Sequence, residues 1–314
     1  MEPLRKNVAL AIDGGGIRGT LVAKALAVVE EAENLSFAQR ARLFAGTSTG
    51  SIISAGLSVG LSAARMHQLY FDLAGTIFPK TLRSRLWPLT RYRYNNQPLI
   101  DALKSVLGDA KMGDLWPGPE NKDLVIILRD LVQNRNLFVK SWKEAYQDWL
   151  IWEAVVASST VPTYFPVFQG RYIDGGVGSF SNPCYIASFE IAFILEDWAP
   201  EETTLISIGT GYTKTGPDTG LKEGEANRFH LMKWVGPILD AFTVDAAWQQ
   251  VNLVRHFFEK LDFRRFNVEM TDSIPMDDTG SIERLTEYGK ELGGKILNDE
   301  WEKMDEPLET VVMG

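Results

Sequence analysis

Gly46-Thr47-Ser48-Thr49-Gly50 follows an apolar segment, Leu43-Phe44-Ala45, and opens a run over 51–57 that reads as a helix. A serine on a sharp turn between strand and helix has its hydroxyl forced out of the sheet. Flanking glycines let the two arms of such a turn approach without a Cβ clash. The serine also stands at a helix N-terminus, where free N–H groups favour developing negative charge. Ser48 is therefore a candidate nucleophile.

Upstream, Val8-Ala9-Leu10-Ala11-Ile12 is a continuous apolar run, the pattern of a strand buried on both faces. It ends in Asp13-Gly14-Gly15-Gly16-Ile17-Arg18-Gly19, and a helical pattern over 20–32 follows. Downstream, helices are predicted over 62–73, 98–107, 149–159, 235–258 and 282–297. Strands are predicted over 124–128, 137–139, 171–173 and 205–208, with an edge strand over 266–268. Asn182 can cap a helix beginning at Pro183. The alternation implies an α/β fold, a three-layer α/β/α arrangement with a mainly parallel central sheet. No repeat or linker divides the chain, so residues 1–314 are expected to form one domain. Its motif-bearing core covers about 7–211, and a helical C-terminal part about 230–300.

The 314 residues are 45% hydrophobic and 23% charged, ordinary for a globular protein. A net charge of −9 argues against a nucleic acid polymer as partner. The single cysteine, Cys184, excludes an internal disulfide and suits a reducing compartment. No secretory signal and no transmembrane helix are expected, and the expected address is the cytoplasm, with peripheral membrane contact. That contact falls on residues 74–98, where Lys80, Arg83, Arg85, Arg91 and Arg93 alternate with aromatic residues and no acid intervenes. The plainer alternative is a long connection whose aromatics pack down and whose arginines stay solvated. The stretch 214–227 is expected to be a surface loop.

Gly14 to Gly19 also satisfies the dinucleotide pattern G-x-G-x-x-G. That fold wants an acid at the tip of the second strand, whereas Glu30, Glu31 and Glu33 sit at a helix end. The better reading of Gly14, Gly15 and Gly16 is an oxyanion hole, with bare backbone N–H groups at a strand tip. Arg18 would bring positive charge to the same place or to a substrate phosphate, unless it is simply a solvated or salt-bridged arginine at a helix start. A base for Ser48 must come from elsewhere. His67, His230 and His256 lie in helical regions away from strand tips, whereas Asp174 follows a strand and precedes two glycines. Active groups of such sheets gather at strand tips, although Asp-Gly is also an ordinary turn pair. No metal-binding spacing is present, and no metal or cofactor is expected.

Taken in order, Asp13-Gly14-Gly15-Gly16-Ile17-Arg18-Gly19, Gly46-Thr47-Ser48-Thr49-Gly50 and Asp174-Gly175-Gly176 resemble the motifs of the patatin-like phospholipases. Phe78-Pro79-Lys80, the segment 159–166 and Ser207-Ile208-Gly209-Thr210-Gly211 are similar to that family too. The chain has Ser181-Asn182-Pro183 where the family often has paired asparagines, and Ser51 where a further glycine is common. The resemblance implies a lipid acyl hydrolase acting on phospholipid through a Ser–Asp dyad. Ser48 would be the nucleophile and Asp174 the general base. Gly15 and Gly16 would be the oxyanion donors, Gly14 would shape the loop, and Arg18 would hold the family's basic position. It also allows activation by a small-molecule or cyclic-nucleotide effector. Two rivals stand beside it: a Ser-Asp-His hydrolase using His230 or His256, and a silent regulatory module that keeps the fold.

Overall fold

The strand predicted at the N-terminus, β1 (Asn7–Ile12), lies in the middle of a seven-stranded sheet. The computed structural model describes residues 2–81, 91–116, 121–213 and 246–302. The elements after β1 are α1 (Gly19–Glu33), β2 (Leu43–Thr47), α2 (Thr49–Ser58), α3 (Ala63–Ile77) and α4 (Gln97–Leu107). Next come β3 (Asp123–Asp130), β4 (Arg135–Lys140), α5 (Ile151–Ser159), β5 (Tyr172–Asp174) and α6 (Cys184–Phe193). The chain continues through β6 (Thr203–Ile208), α7 (Ala246–Phe257), β7 (Asp262–Phe266) and α8 (Ile282–Leu297).

The sheet order is β4-β3-β2-β1-β6-β7, with β5 paired to β3 beside this path. β1, β2, β3, β6 and β7 run parallel to one another, as the strand–helix alternation predicts. β4 and β5 run antiparallel to β3. For β4 the reason is its short link to β3, since parallel neighbours need a crossover of a dozen residues or more.

Side chains of successive strand residues go to opposite faces, and each face has its own core. Leu10, Ile12, Phe44, Ile126 and Ile206 join the core beneath α1, α2, α3, α5 and α8. Ala9, Ala11, Leu43, Ala45, Val125 and Leu205 join the core beneath α6 and α7. The layers are therefore helix, sheet, helix.

Several boundaries differ from the sequence expectation. The helix expected over 62–73 runs to Ile77, and Ser62 Oγ caps it by accepting the Arg65 N–H at 3.2 Å. The helix expected from Trp149 begins at Ile151, because Leu150 has an extended backbone. Asn182 does act as a cap, accepting the Cys184 N–H at 2.8 Å, but Pro183 is the boundary residue and not the first helical one. The edge strand lies at Asp262–Phe266, four residues earlier than expected. Residues 214–245, which hold the expected loop and the first part of the 235–258 helix, lie outside the described residues.

One buried ion pair ties the late strand to the first motif. Arg265 of β7 donates to Asp13 through Nη1 at 2.9 Å and Nη2 at 2.6 Å, and Nη1 also reaches Ser207 Oγ at 2.9 Å. Both charged residues are buried. The Asp13 N–H bonds the Ile208 carbonyl, so the residue that opens the glycine loop is fixed by backbone and by charge. Removing one partner of a buried pair leaves the other uncompensated, at a cost of about 3–5 kcal/mol. Arg265→Met is expected to lose about that much in urea unfolding, whereas replacement of the half-exposed Lys290 by Met should change stability by under about 0.5 kcal/mol.

Candidate active site

The Gly46–Gly50 turn is an elbow that only glycine permits at its two ends. A Cβ on Gly46 would lie 2.3 Å from the Gly50 carbonyl oxygen, and one on Gly50 would lie 2.0 Å from the Ile12 carbonyl oxygen. Ser48 stands between them at φ 54°, ψ −125°, a conformation that costs a non-glycine residue about 1–3 kcal/mol. Three hydrogen bonds hold it there. The Ser48 N–H donates to Ser158 Oγ at 2.9 Å, and the Ser158 hydroxyl donates to the Ile127 carbonyl at 2.6 Å. The Ser51 hydroxyl donates to the Ser48 carbonyl at 2.6 Å. Ser158, near the end of the apolar helix α5, was not singled out in the sequence. Its signal was a polar pair, Ser158-Ser159, closing a buried stripe.

Register along β3 brings Asp174 to this serine. β2 pairs with β3 up to Thr47 opposite Ile127, and β5 pairs with β3 from Asp174 opposite Leu128. β4 occupies the other side of β3 over Val125 to Asp130. β2 and β5 therefore share one side of β3, run toward each other, and stop at adjacent register positions. Asp174 Oδ1 accepts the Gly176 N–H at 2.7 Å. Burial pushes the Asp174 carboxyl up to about 6, with the Ser48 hydroxyl and the Gly176 N–H offsetting part of the rise. Oδ2 is buried and lacks a hydrogen-bond partner of normal geometry. The Ser48 hydroxyl is thus close enough to the Asp174 carboxyl to lower its pKa.

The glycine loop passes beside the elbow: a Cβ on Gly14 would lie 3.2 Å from Ser48 Cβ. The Gly14 N–H is committed to the Ser181 carbonyl at 2.8 Å, and the Thr210 hydroxyl donates to the Gly14 carbonyl at 2.8 Å. Gly14 therefore shapes the loop and has no N–H to offer. Among the described residues the Gly15 and Gly16 N–H groups have no backbone acceptor. Arg18 is half-buried, with Nε 3.4 Å from the Gly15 carbonyl, and it does not line the cavity described next.

Ser48 and Gly16 lie on the wall of an apolar cavity with an empty volume of about 920 Å³, counted out through its mouth. Ile52 of α2, Met66 and Leu69 of α3, Leu99 and Leu103 of α4, and Met276 line it. Sequence periodicity assigns such stripes to core packing, so the cavity was not foreseen. The basic stretch is in part tied down near its mouth. Arg93 pairs with Asp277 at 2.9 Å and stacks over Tyr164 at 4.5 Å, and the Tyr94 hydroxyl donates to Asp277 at 2.8 Å. Phe78 and Tyr94 pack together, as the plainer reading expected, but Arg93 is not simply solvated. Arg83, Arg85 and Trp87 lie outside the described residues.

Neither His67 nor His256 lines the cavity. His67 contacts Thr286 Oγ1 at 3.2 Å, and burial, with Lys24 nearby, lowers its pKa. His256 Nδ1 lies 2.9 Å from the Asn252 carbonyl, and His230 is outside the described residues. Among the described residues no group of His, Cys, Asp and Glu could hold a metal ion.

A model of the patatin-like phospholipase family matches residues 10–187, which span the glycine loop, the elbow and the Asp174 turn. The chain belongs to this family. Among its patatin-like relatives, the 85/88 kDa calcium-independent phospholipase A2 of Mus musculus is 27% identical over 86% of this chain and 36% of its own. Patatin-like protein 1 of Oryza sativa is 26% identical over 76% of this chain and 68% of its own. A cGAMP-activated phospholipase of Vibrio cholerae is 25% identical over 93% of this chain and 92% of its own. The chain thus spans about a third of the mouse protein and nearly all of the bacterial one. The patatin-like fold is shared with VipD of Legionella pneumophila, at a TM-score of 0.50, 14% identity, 98% of this chain and 69% of that one. No helix among the described residues is long and apolar enough to cross a membrane.

The raised pKa makes Asp174 a cost to the fold. Its contribution is favourable below about pH 4 and is lost as pH rises through about 6, because the folded chain must then hold a buried charge. Asp174→Asn is therefore expected to be more stable than the parent at pH 8, by up to about 3 kcal/mol. The gain should fall to about half at pH 5 and approach zero below about pH 4, read from thermal unfolding across that range.

Proposed function

We propose that this protein is a lipid acyl hydrolase of the phospholipase A type. The observation that carries the reading is an apolar cavity with Ser48 on its wall, beside a buried carboxyl and two backbone N–H groups that have no backbone acceptor among the described residues. An acyl chain fits that lining, since pockets with few polar groups bind apolar ligands and place the reacting atom by those few. Binding would set the ester carbonyl against Ser48 Oγ.

In the proposed course Asp174 Oδ2 takes the hydroxyl proton as Ser48 Oγ attacks the ester carbon. The carbonyl oxygen becomes an oxyanion, held by the Gly15 and Gly16 N–H groups. Collapse breaks the ester bond, and the departing alcohol takes the proton from Asp174. Water then gives a proton to Asp174 and attacks the acyl–Ser48 carbonyl; collapse breaks the bond to Ser48 Oγ, which takes the proton back from Asp174 as the fatty acid leaves. A carboxyl near 6 suits this cycle, since it is largely ionised at neutral pH yet basic enough to accept a proton. We assign residues 1–314 to one patatin-like domain working on lipid at the surface of a membrane, in the cytoplasm. The match over nearly the whole of the cGAMP-activated relative supports a further element, activation by a cyclic nucleotide. A rate on phospholipid vesicles that is the same with and without cGAMP removes that element alone.

Ser48→Ala is expected to lower fatty acid release from mixed phospholipid vesicles by at least about a thousandfold, with the fold intact. Release at the parental rate would remove the reading. For the parent, kcat/KM should climb through an apparent pKa near 6 to a plateau at alkaline pH. Ala replacements at His67, His230 and His256 discriminate the triad rival. A loss of about a thousandfold at any one of them would transfer the base role to that histidine. Failure of a fluorophosphonate probe to label Ser48, with and without cGAMP, would favour a silent module.

A further inference from the structure

The elbow helix does more than present Ser48. Ile52 and Gly56 follow the serine at intervals of four residues, so all three lie on one face of α2 and all three line the cavity. At 1.5 Å per residue, Gly56 stands about 12 Å along the helix axis from Ser48. The cavity wall at that depth has no side chain of its own. The space is taken by the thioether of Met66 from α3: a Cβ on Gly56 would lie 2.3 Å from Met66 Sδ and 2.9 Å from its Cε. Met66 is itself 1% exposed and lines the same cavity. Met66 belongs to the buried core and also lines the cavity, so the open space beside it is the cavity itself. Methionine is the side chain best suited to such a shift, having three rotatable bonds and no branch.

We propose that Gly56, with Met66 leaning into the gap it leaves, sets the length of acyl chain that the cavity accepts. The inference rests on the acyl-hydrolase reading for the identity of the occupant. Gly56 keeps the part of the cavity about 12 Å along α2 from Ser48 open by letting Met66 occupy the gap at position 56. Any side chain at position 56 pushes the thioether across the path of the chain, at a fixed distance from Ser48. Each methylene kept out of an apolar pocket costs roughly a factor of four in binding. Exclusion of a few methylenes from a long chain is thus a large effect, while a short chain never reaches that depth.

The test compares the parent, Gly56→Ala and the double variant Gly56→Ala/Met66→Ala. An alanine for glycine inside a helix favours helix formation, so the single variant is expected to fold. Saturated fatty acids of rising length displace an environment-sensitive fluorescent fatty acid, a readout that needs no turnover. The ratio of palmitate to octanoate affinity should fall at least tenfold in Gly56→Ala and recover to within threefold of the parent in the double variant. An unchanged ratio, an equal fall for both acids, or no recovery on removal of Met66 overturns the proposal. Hydrolysis of p-nitrophenyl esters of the same acids is read in parallel. If no ester is cleaved while the binding ratios follow the expected pattern, the acyl-hydrolase reading falls and the role of Gly56 stands.

Discussion

The site depends on a single strand edge. β3 can pair with one neighbour on each side, and on the side away from β4 two strands divide its length between them. β2 ends opposite Ile127 and β5 ends opposite Leu128. Ile127 is the junction in a further sense. Its carbonyl receives the Ser158 hydroxyl, which in turn accepts the Ser48 N–H, and a Cβ on Gly175 would lie 2.5 Å from that oxygen. A shift of register by one residue in either strand would part the serine from the carboxyl and turn the strand's side chains to the wrong face.

Around this junction the chain holds several groups in unfavourable states. Ser48 has a strained backbone, Asp174 is a buried carboxyl with one bare oxygen, and among the described residues the Gly15 and Gly16 N–H groups have no backbone acceptor. Under the proposed function, the carboxyl and the two N–H groups are those that a reacting ester would engage. Strain of this kind persists only where the surroundings over-determine it. Here the surroundings are the strands β2 and β6, buried throughout, β1, buried from Val8 on, and the Asp13–Arg265 pair that pins the loop on its other side.

The two faces of the sheet have different tasks. On one, α6 and α7 close over small strand residues such as Ala9, Ala11 and Ala45. On the other, α2, α3 and α4 carry apolar stripes that meet only in part, and the gap between them is the cavity beside Ser48. The same leucines and methionine that would make a core line a cavity when the helices stand slightly apart.

How much of this was legible depends on distance along the chain. The three glycine-bearing motifs, the elbow and the alternation of strand and helix are local patterns, and local sterics decide them: glycine where a Cβ has no room, apolar runs where both faces are covered. The sequence alone therefore determined the fold class, the elbow that presents Ser48 and the strand-tip position of Asp174. Only the tertiary structure decided that β5 would run antiparallel and end beside β2, that Ser158 and Arg265 would brace the site, and that the stripes of α3 and α4 would enclose a cavity. Those outcomes rest on contacts between residues far apart in the chain, such as Ser48 with Ser158 and Asp13 with Arg265. Periodicity reports which face of a helix is apolar, and it carries no information about whether the facing helix closes the gap.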